Sequence, residues 1–236
     1  MKRTAMTLVS RWSAALLLAL PVAFGAVSAP AQEQSVAPGI NRHYENADFS
    51  RWQRSFESPG REVFDRRLDI IAASGVRAGM TVADIGAGTG LFTWLFAGEV
   101  GPGGKVYAED IAPEFVQALR ELAREKGLGN VDVILGTARD TRLPAASVDL
   151  AFLSDAYHHF EYPESMLASI RRALRPGGTL VVIDFEKVPG ESSAWILGHV
   201  RAPKDTVVRE IQAEGFRLLE DRKFLRENYF LKFRPP

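Results

Sequence analysis

Residues 81–90 read Thr-Val-Ala-Asp-Ile-Gly-Ala-Gly-Thr-Gly (TVADIGAGTG). A short apolar run stops at Asp84-Ile85, and glycines follow at positions 86, 88 and 90. Each glycine weakens a regular element, and turning the chain needs only one of them. At the carboxyl end of a parallel strand, three glycines mean close approach of the backbone to a ligand, with the amino end of the next helix aimed at it. The stretch therefore predicts a strand, a ligand-binding turn and a helix.

The ligand follows from what the loop lacks. A dinucleotide fingerprint G-x-G-x-x-G would place its third glycine at position 91, which is Leu91. A carboxylate such as Asp84, about 4 Å from a pyrophosphate, would oppose binding by several kcal/mol at an intermediate dielectric; the same group would favour an ammonium or sulfonium by a similar amount. The loop thus suits a cationic amino-acid end. Twenty residues past Gly90 the next strand ends in Glu109-Asp110-Ile111. An acid there can accept both hydroxyls of a ribose, each bond worth roughly 1.5–3 kcal/mol. Asp110 is the expected acceptor, with Glu109 the near alternative.

Outward from the loop, strand-like and helix-like segments alternate. Strands are expected at 80–85, 105–109, 131–135, 148–153 and 178–184, and helices at 91–100, 113–126 and 161–174. Strands apolar on both faces, alternating with helices, argue a parallel sheet covered on both sides. Upstream, Ser58 and Pro59 predict a helix start, with Val63, Phe64, Leu68 and Ile71 recurring at helical spacing. The tail predicts a helix at 204–214 and two strands at 216–221 and 228–233, close enough for an antiparallel hairpin at the sheet edge. No internal repeat is present.

The run from Gly79 to Asp184 resembles a class I S-adenosylmethionine-dependent methyltransferase. The resemblance rests on D-x-G-x-G-x-G at 84–90, the acidic strand end at Asp110, Leu143-Pro144 leading to Val148-Asp149, and Leu174-Arg175-Pro176-Gly177-Gly178. It implies a Rossmann-like doubly wound α/β fold, with a mostly parallel seven-stranded sheet ending in an antiparallel hairpin. It implies that Asp84, Gly86, Ala87, Gly88 and Gly90 hold the methionine end, Asp110 the ribose, and Ile111 the adenine face. The family often carries an acid followed by a small residue after the third strand. Here Thr137-Ala138 stands there, leaving a backbone contact at Ala138, or nearby Asp140, to replace it.

Methyl transfer from a sulfonium is an in-line displacement, so proximity and orientation supply much of the rate, and a base is needed only if the acceptor must lose a proton. The candidates follow the fourth strand. Tyr157, His158 and His159 are the expected catalytic side chains, with Asp155 beside them on the cofactor; helix capping and loop packing are the plainer roles for the same residues. No metal is expected, since two adjacent histidines have no third ligand at a recognised spacing. The aromatic segment His43, Tyr44, Trp52 and Phe56 serves either as core or as a lid; as a lid it would carry Glu62 to the cofactor. The expected activity is methyl transfer to a small-molecule acceptor. The alternatives are a non-catalytic module binding S-adenosylmethionine or S-adenosylhomocysteine, and a nicotinamide-dependent oxidoreductase.

The chain has 236 residues, 46% hydrophobic and 25% charged, with a formal net charge of zero. Its balance of charges excludes the clustered basic face of a nucleic-acid binder. The absence of cysteine excludes disulfides and thiolate metal sites. Lys2, Arg3 and Arg11, an apolar run from Ala14 to Val27, and Ala29-Pro30-Ala31 form the three parts of a secretory signal. The expected organisation is a signal peptide at 1–31 cleaved after Ala31, a linker and arm at 32–57, and a methyltransferase domain at 58–236, in an exported, periplasmic protein. An uncleaved membrane anchor, or a cytoplasmic chain with a misassigned start, are the alternatives.

Overall fold

A computed structural model describes Met1 and residues 33–236; the expected leader and its cleavage site lie outside the described residues. Residues 33–236 form one compact unit. Its seven strands are β1 (Thr81–Ile85), β2 (Lys105–Asp110), β3 (Val131–Leu135), β4 (Val148–Ser154), β5 (Leu174–Phe185), β6 (Arg217–Arg222) and β7 (Asn228–Arg234). They lie in the order β3-β2-β1-β4-β5-β7-β6, with β7 antiparallel to β5 and to β6 and all other pairs parallel. The expected parallel sheet with a terminal hairpin is what forms.

The eight α-helices among the described residues are α1 (Phe49–Phe56), α2 (Glu62–Asp65), α3 (Arg67–Ser74), α4 (Leu91–Val100), α5 (Pro113–Glu125), α6 (Pro163–Ala173), α7 (Ala194–His199) and α8 (Lys204–Ala213). Alternate residues of the same strands feed two cores. Val82, Leu150, Phe152 and Val181 meet Ile70, Phe96 and Leu119 from α3, α4 and α5. Ala83, Ala151, Leu153 and Val182 meet Met166, Ile170 and Ile211 from α6 and α8. Phe96, Phe152 and Ile170 are fully buried, a transfer worth about 1.5–3 kcal/mol each.

Three local expectations are corrected. No helix starts at Ser58: its hydroxyl donates to the Ser55 carbonyl, and Gly60 turns the chain at φ 95°. The arm instead contains α1, opened by Asp48 accepting the Arg51 N–H, so residues 57–61 connect two helices. Because α2 and α3 break at Arg66, the helical phase resets and Leu68, expected on the apolar face, is exposed. Finally, β5 begins at Leu174 rather than Gly178, through a register shift opposite Val148–Leu150.

The segment expected to be a linker is docked. The Glu33 carboxylate accepts the N–H groups of Glu164 and Ser165 at the amino end of α6, where a negative charge is favoured. Val36 N–H donates to the Glu161 carbonyl. Among the described residues no helix is long and apolar enough to cross a membrane.

Candidate functional site

The strand order reverses between β1 and β4, and a cavity of about 650 Å³ opens there at the carboxyl ends of the parallel strands. Its floor is the glycine loop. Gly86 sits at φ 69°, and a Cβ on it would lie 2.7 Å from the Ala156 methyl, so the loops after β1 and β4 meet without room for a side chain. Gly86, Ala87 and Gly88 line the cavity with Thr89. Gly90 does not. At φ 87°, its missing Cβ makes room for the Trp94 ring at 2.5 Å and for Leu119, so this glycine serves the packing of α4 on α5 and is not a cofactor contact.

Asp84 lies at the cavity, buried, and accepts the Thr93 hydroxyl at 2.6 Å. Burial pushes its pKa up to about 7 against that hydrogen bond, and neighbouring Asp110 adds to the rise. Asp110 accepts N–H groups from Gly88 at 2.8 Å and Ala112 at 2.9 Å; burial nonetheless raises it to about 6. Glu109 is held well above the carboxylate range by burial and then by Asp110, and its buried Oε1 has no hydrogen-bond partner. Both acids line the cavity together with Ile111, Thr137 and Ala138. Asp140 turns away to Arg172, at 3.0 Å, and to Ser169, which leaves the Ala138 backbone as the only one of the two expected replacements at the cavity.

The opposite end is built by β4, β5 and α7. Asp155 takes a left-handed φ of 50°, a conformation that Asp tolerates better than most residues. It is fixed by Arg61 at 2.6 Å and by the Asn228 amide at 2.6 Å. His158 is 3% exposed; its Nδ1 lies 2.7 Å from the Asp184 carboxylate, which also accepts its backbone N–H. Burial opposes charge on His158, but Asp184 outweighs it and raises the pKa. His159 is driven strongly toward the neutral form by burial and by the neighbouring histidines. The Asn41 amide donates to the His159 carbonyl, and the Tyr44 hydroxyl approaches its Nε2 at 3.4 Å.

Besides Gly90, two expected site residues do not reach the cavity. Tyr157 is fully buried in the core and donates to Glu210 at 2.9 Å; burial raises its pKa further, so it is not placed to take a proton. Glu62 turns away, and its carboxylate accepts the N–H groups of Arg226, Glu227 and Asn228 in the β6–β7 connection. That role is structural. The aromatic arm, in contrast, is both core and wall. Tyr44, Phe49, Trp52 and Phe56 pack on Ala47, Ala112 and Phe115, and His43, Tyr44, Trp52 and Phe56 also line the cavity.

Sequence reasoning missed Thr93, Arg61, Asp184, Trp195 and His199. Thr93 and Asp184 lie inside expected elements whose pattern marks packing and not a partner, while Arg61, Trp195 and His199 lie outside every motif. The one available signal was histidine count: the chain has four, and all four line this cavity.

The residues fit S-adenosylmethionine. The volume lies within the ~300–1,000 Å³ of small-molecule sites, Asp84 presents a carboxylate to a cationic end, and Asp110 presents an acceptor to hydroxyls. Residues 83–182 match the family model described as a methyltransferase domain. The chain is 37% identical over 121 residues to the ubiquinone/menaquinone biosynthesis C-methyltransferase UbiE of Ectopseudomonas mendocina, covering 51% of this chain and 47% of that protein. It is 35% identical over 157 residues to the nocamycin O-methyltransferase of Saccharothrix syringae, covering 65% and 55%. The chain thus spans about half the length of the curated relatives it matches. A crystal structure of an S-adenosylmethionine-dependent methyltransferase from Aquifex aeolicus aligns with a TM-score of 0.70 and 26% identity, over 79% of this chain and 98% of that one. Sequence and fold together support a class I S-adenosylmethionine-dependent methyltransferase, with S-adenosylmethionine as the cosubstrate they point to.

Proposed function

We propose that this protein methylates a small aromatic acceptor carrying an acidic hydroxyl, bound at the histidine-lined end of the cavity. The observation that carries the reading is the lining of that end: Phe185, Trp195 and Tyr44 offer ring faces around His158, His159 and His199. One relative's name specifies C-methylation and another's O-methylation. A phenolic or enolic ring accommodates either, because loss of the hydroxyl proton makes both the oxygen and the ring carbon nucleophilic.

When bound, the cosubstrate supplies a methyl group on a positively charged sulfur, which keeps the bonding pair as the methyl leaves. Asp84 would accept its ammonium end, Asp110 its ribose hydroxyls, and the backbone at Ala138 the adenine edge. The aromatic arm excludes water from the cavity. His158 Nε2, with Nδ1 fixed by Asp184, is positioned to receive the acceptor's proton. Asp155, tied to Arg61 and Asn228, positions the loop that carries both histidines.

Calorimetry on the full chain tests the cosubstrate half: S-adenosylmethionine and S-adenosylhomocysteine each bind, and Asp110→Ala weakens both at least about tenfold, the size of one charge-assisted bond. Absence of binding to folded protein overturns the reading. Release of S-adenosylhomocysteine with a panel of phenols and quinols tests the acceptor half, and turnover confined to aliphatic amines would refute it. We further propose export, on the pattern of residues 1–31; an alkaline phosphatase fusion after residue 40 is active if that is right and inactive if it is wrong.

A further inference from the structure

The fold gathers imidazoles that are far apart in the chain. His158 and His159 lie on the 3-10 turn Tyr157–His159 after β4, and His199 is the last residue of α7. Their ring centroids are 4.1, 5.1 and 5.2 Å apart, and one ligand nitrogen from each lies within 4.8 Å of the others. His158 Nε2 and His159 Nδ1 are both buried without a hydrogen-bond partner. Two buried ring nitrogens left unpaired at one spot are uncommon, because buried polar groups are normally satisfied.

We propose that His158, His159 and His199 form a binding site for a divalent transition-metal ion of the zinc type. Three imidazoles with an open fourth position toward a cavity are the donor set of catalytic zinc sites. The absence of oxygen donors in the set disfavours calcium and magnesium. Zinc–nitrogen bonds of ~2.0–2.1 Å in a tetrahedron put the nitrogens about 3.4 Å apart; the rings close to that spacing mainly by movement of His199, which is partly exposed on a six-residue helix. Two supports fix the ligands. Asp184 holds His158 Nδ1, the carboxylate–histidine arrangement that orients metal ligands, and the Trp195 ring stacks on His199 at 4.7 Å. Residues 1–32 contain no histidine, cysteine, aspartate or glutamate, so no further side-chain ligand of these types comes from there.

The site stands on this geometry alone, whereas its use rests on the proposed acceptor reading. An ion there binds the acceptor's hydroxyl oxygen and lowers its pKa, as a bound water is lowered to about 7. The proton leaves to solvent, the oxygen or ring carbon forms the new bond to the methyl carbon, and the carbon–sulfur pair stays on sulfur. With the ion in place His158 is a ligand, and the ion takes over proton removal.

Full-length protein without an affinity tag, stripped with a chelator, tests the site. One equivalent of cobalt(II) is taken up with the visible bands of a tetrahedral nitrogen site, and one equivalent of zinc displaces it. His199→Ala weakens cobalt binding at least about tenfold, and Asp184→Asn by about 10–100-fold, the usual effect of losing a ligand's hydrogen-bond partner. No stoichiometric uptake by folded protein, or uptake unchanged in both His199→Ala and His158→Ala, overturns the proposal. Calorimetry with S-adenosylmethionine on the stripped protein separates the two readings. Cosubstrate binding without metal uptake removes only the metal site; metal uptake without cosubstrate binding removes only the methyltransferase reading.

Discussion

The two ends of the cavity are built differently. The cosubstrate end comes from contiguous runs: 84–89 from the end of β1 onward, 109–111 from the end of β2, and 137–138 after β3. The histidine end draws on the arm, on 154–156 and 158–160, on Phe185 and on α7. At the first end the wall is a glycine loop and strand-end acids, so glycine spacing and strand ends suffice to define it. At the second, side chains from separate elements converge, and only the tertiary fold defines the chemistry.

The largest expected effect strikes both ends at once. Glu62→Ala leaves three backbone N–H groups without their acceptor, each at about 1–3 kcal/mol before water or relaxation compensates. Denaturant unfolding should show a loss of about 3–5 kcal/mol on that basis. A loss below 1 kcal/mol would mean that α2 and residues 226–228 are not tied in solution.

Gly86→Val is aimed at the cosubstrate end alone. It forces a β-branched side chain into a left-handed φ and toward Ala156. The affinity for S-adenosylhomocysteine should fall at least about a hundredfold, from strain together with overlap. Calorimetry reads this directly, and an unchanged affinity would remove the loop from the binding site.

Acidity sharpens the contrast further. Asp84 has a pKa pushed up to about 7, with Thr93 hydrogen-bonded to it and the acids Asp110 and Glu109 nearby. Only its ionised form attracts a cationic ligand, so affinity for S-adenosylmethionine should rise about five- to tenfold from pH 6 to 7.5. Asp84→Asn should flatten that rise. The same shift gives the empty chain's stability the opposite slope: the folded state holds a proton that the unfolded state has lost, so this contribution declines as pH climbs from about 4 to about 7.

The smallest effect belongs to the other end. Trp195→Ala removes one ring at the cavity's mouth, where Trp195 is 56% exposed. Acceptor KM should rise roughly two- to tenfold, the worth of an aromatic contact, with cosubstrate affinity unchanged. If both constants move together, the two ends are not separable.

The same division explains what the sequence disclosed. TVADIGAGTG predicted a strand, turn and helix, and β1, its loop and α4 form there because apolar runs with abrupt glycine stops have one good solution. The antiparallel hairpin was legible for a similar reason. Gly90 misled, since a glycine demanded by packing against Trp94 looks like one demanded by a ligand. Glu62 misled because a carboxylate near a site in sequence can be consumed by backbone donors far along the chain. His199 was invisible: nothing local marks a partner for His158 and His159, and only the path of the chain after β5 brings it close.

The attachment of Glu62 to residues 226–228 also sets an order of events in the cell. Ribosomal synthesis runs from the amino terminus, and a chain can fold only with what has emerged. Glu62 and Arg61 emerge first, and Glu62's donors, with the Asn228 amide that secures Asp155, follow 164 or more residues later. A ribosome-bound chain holding the whole glycine loop still lacks the finished cavity wall. Competence to bind ligand thus waits for residues 226–228, and a nascent chain stalled short of them has the motif without the finished wall.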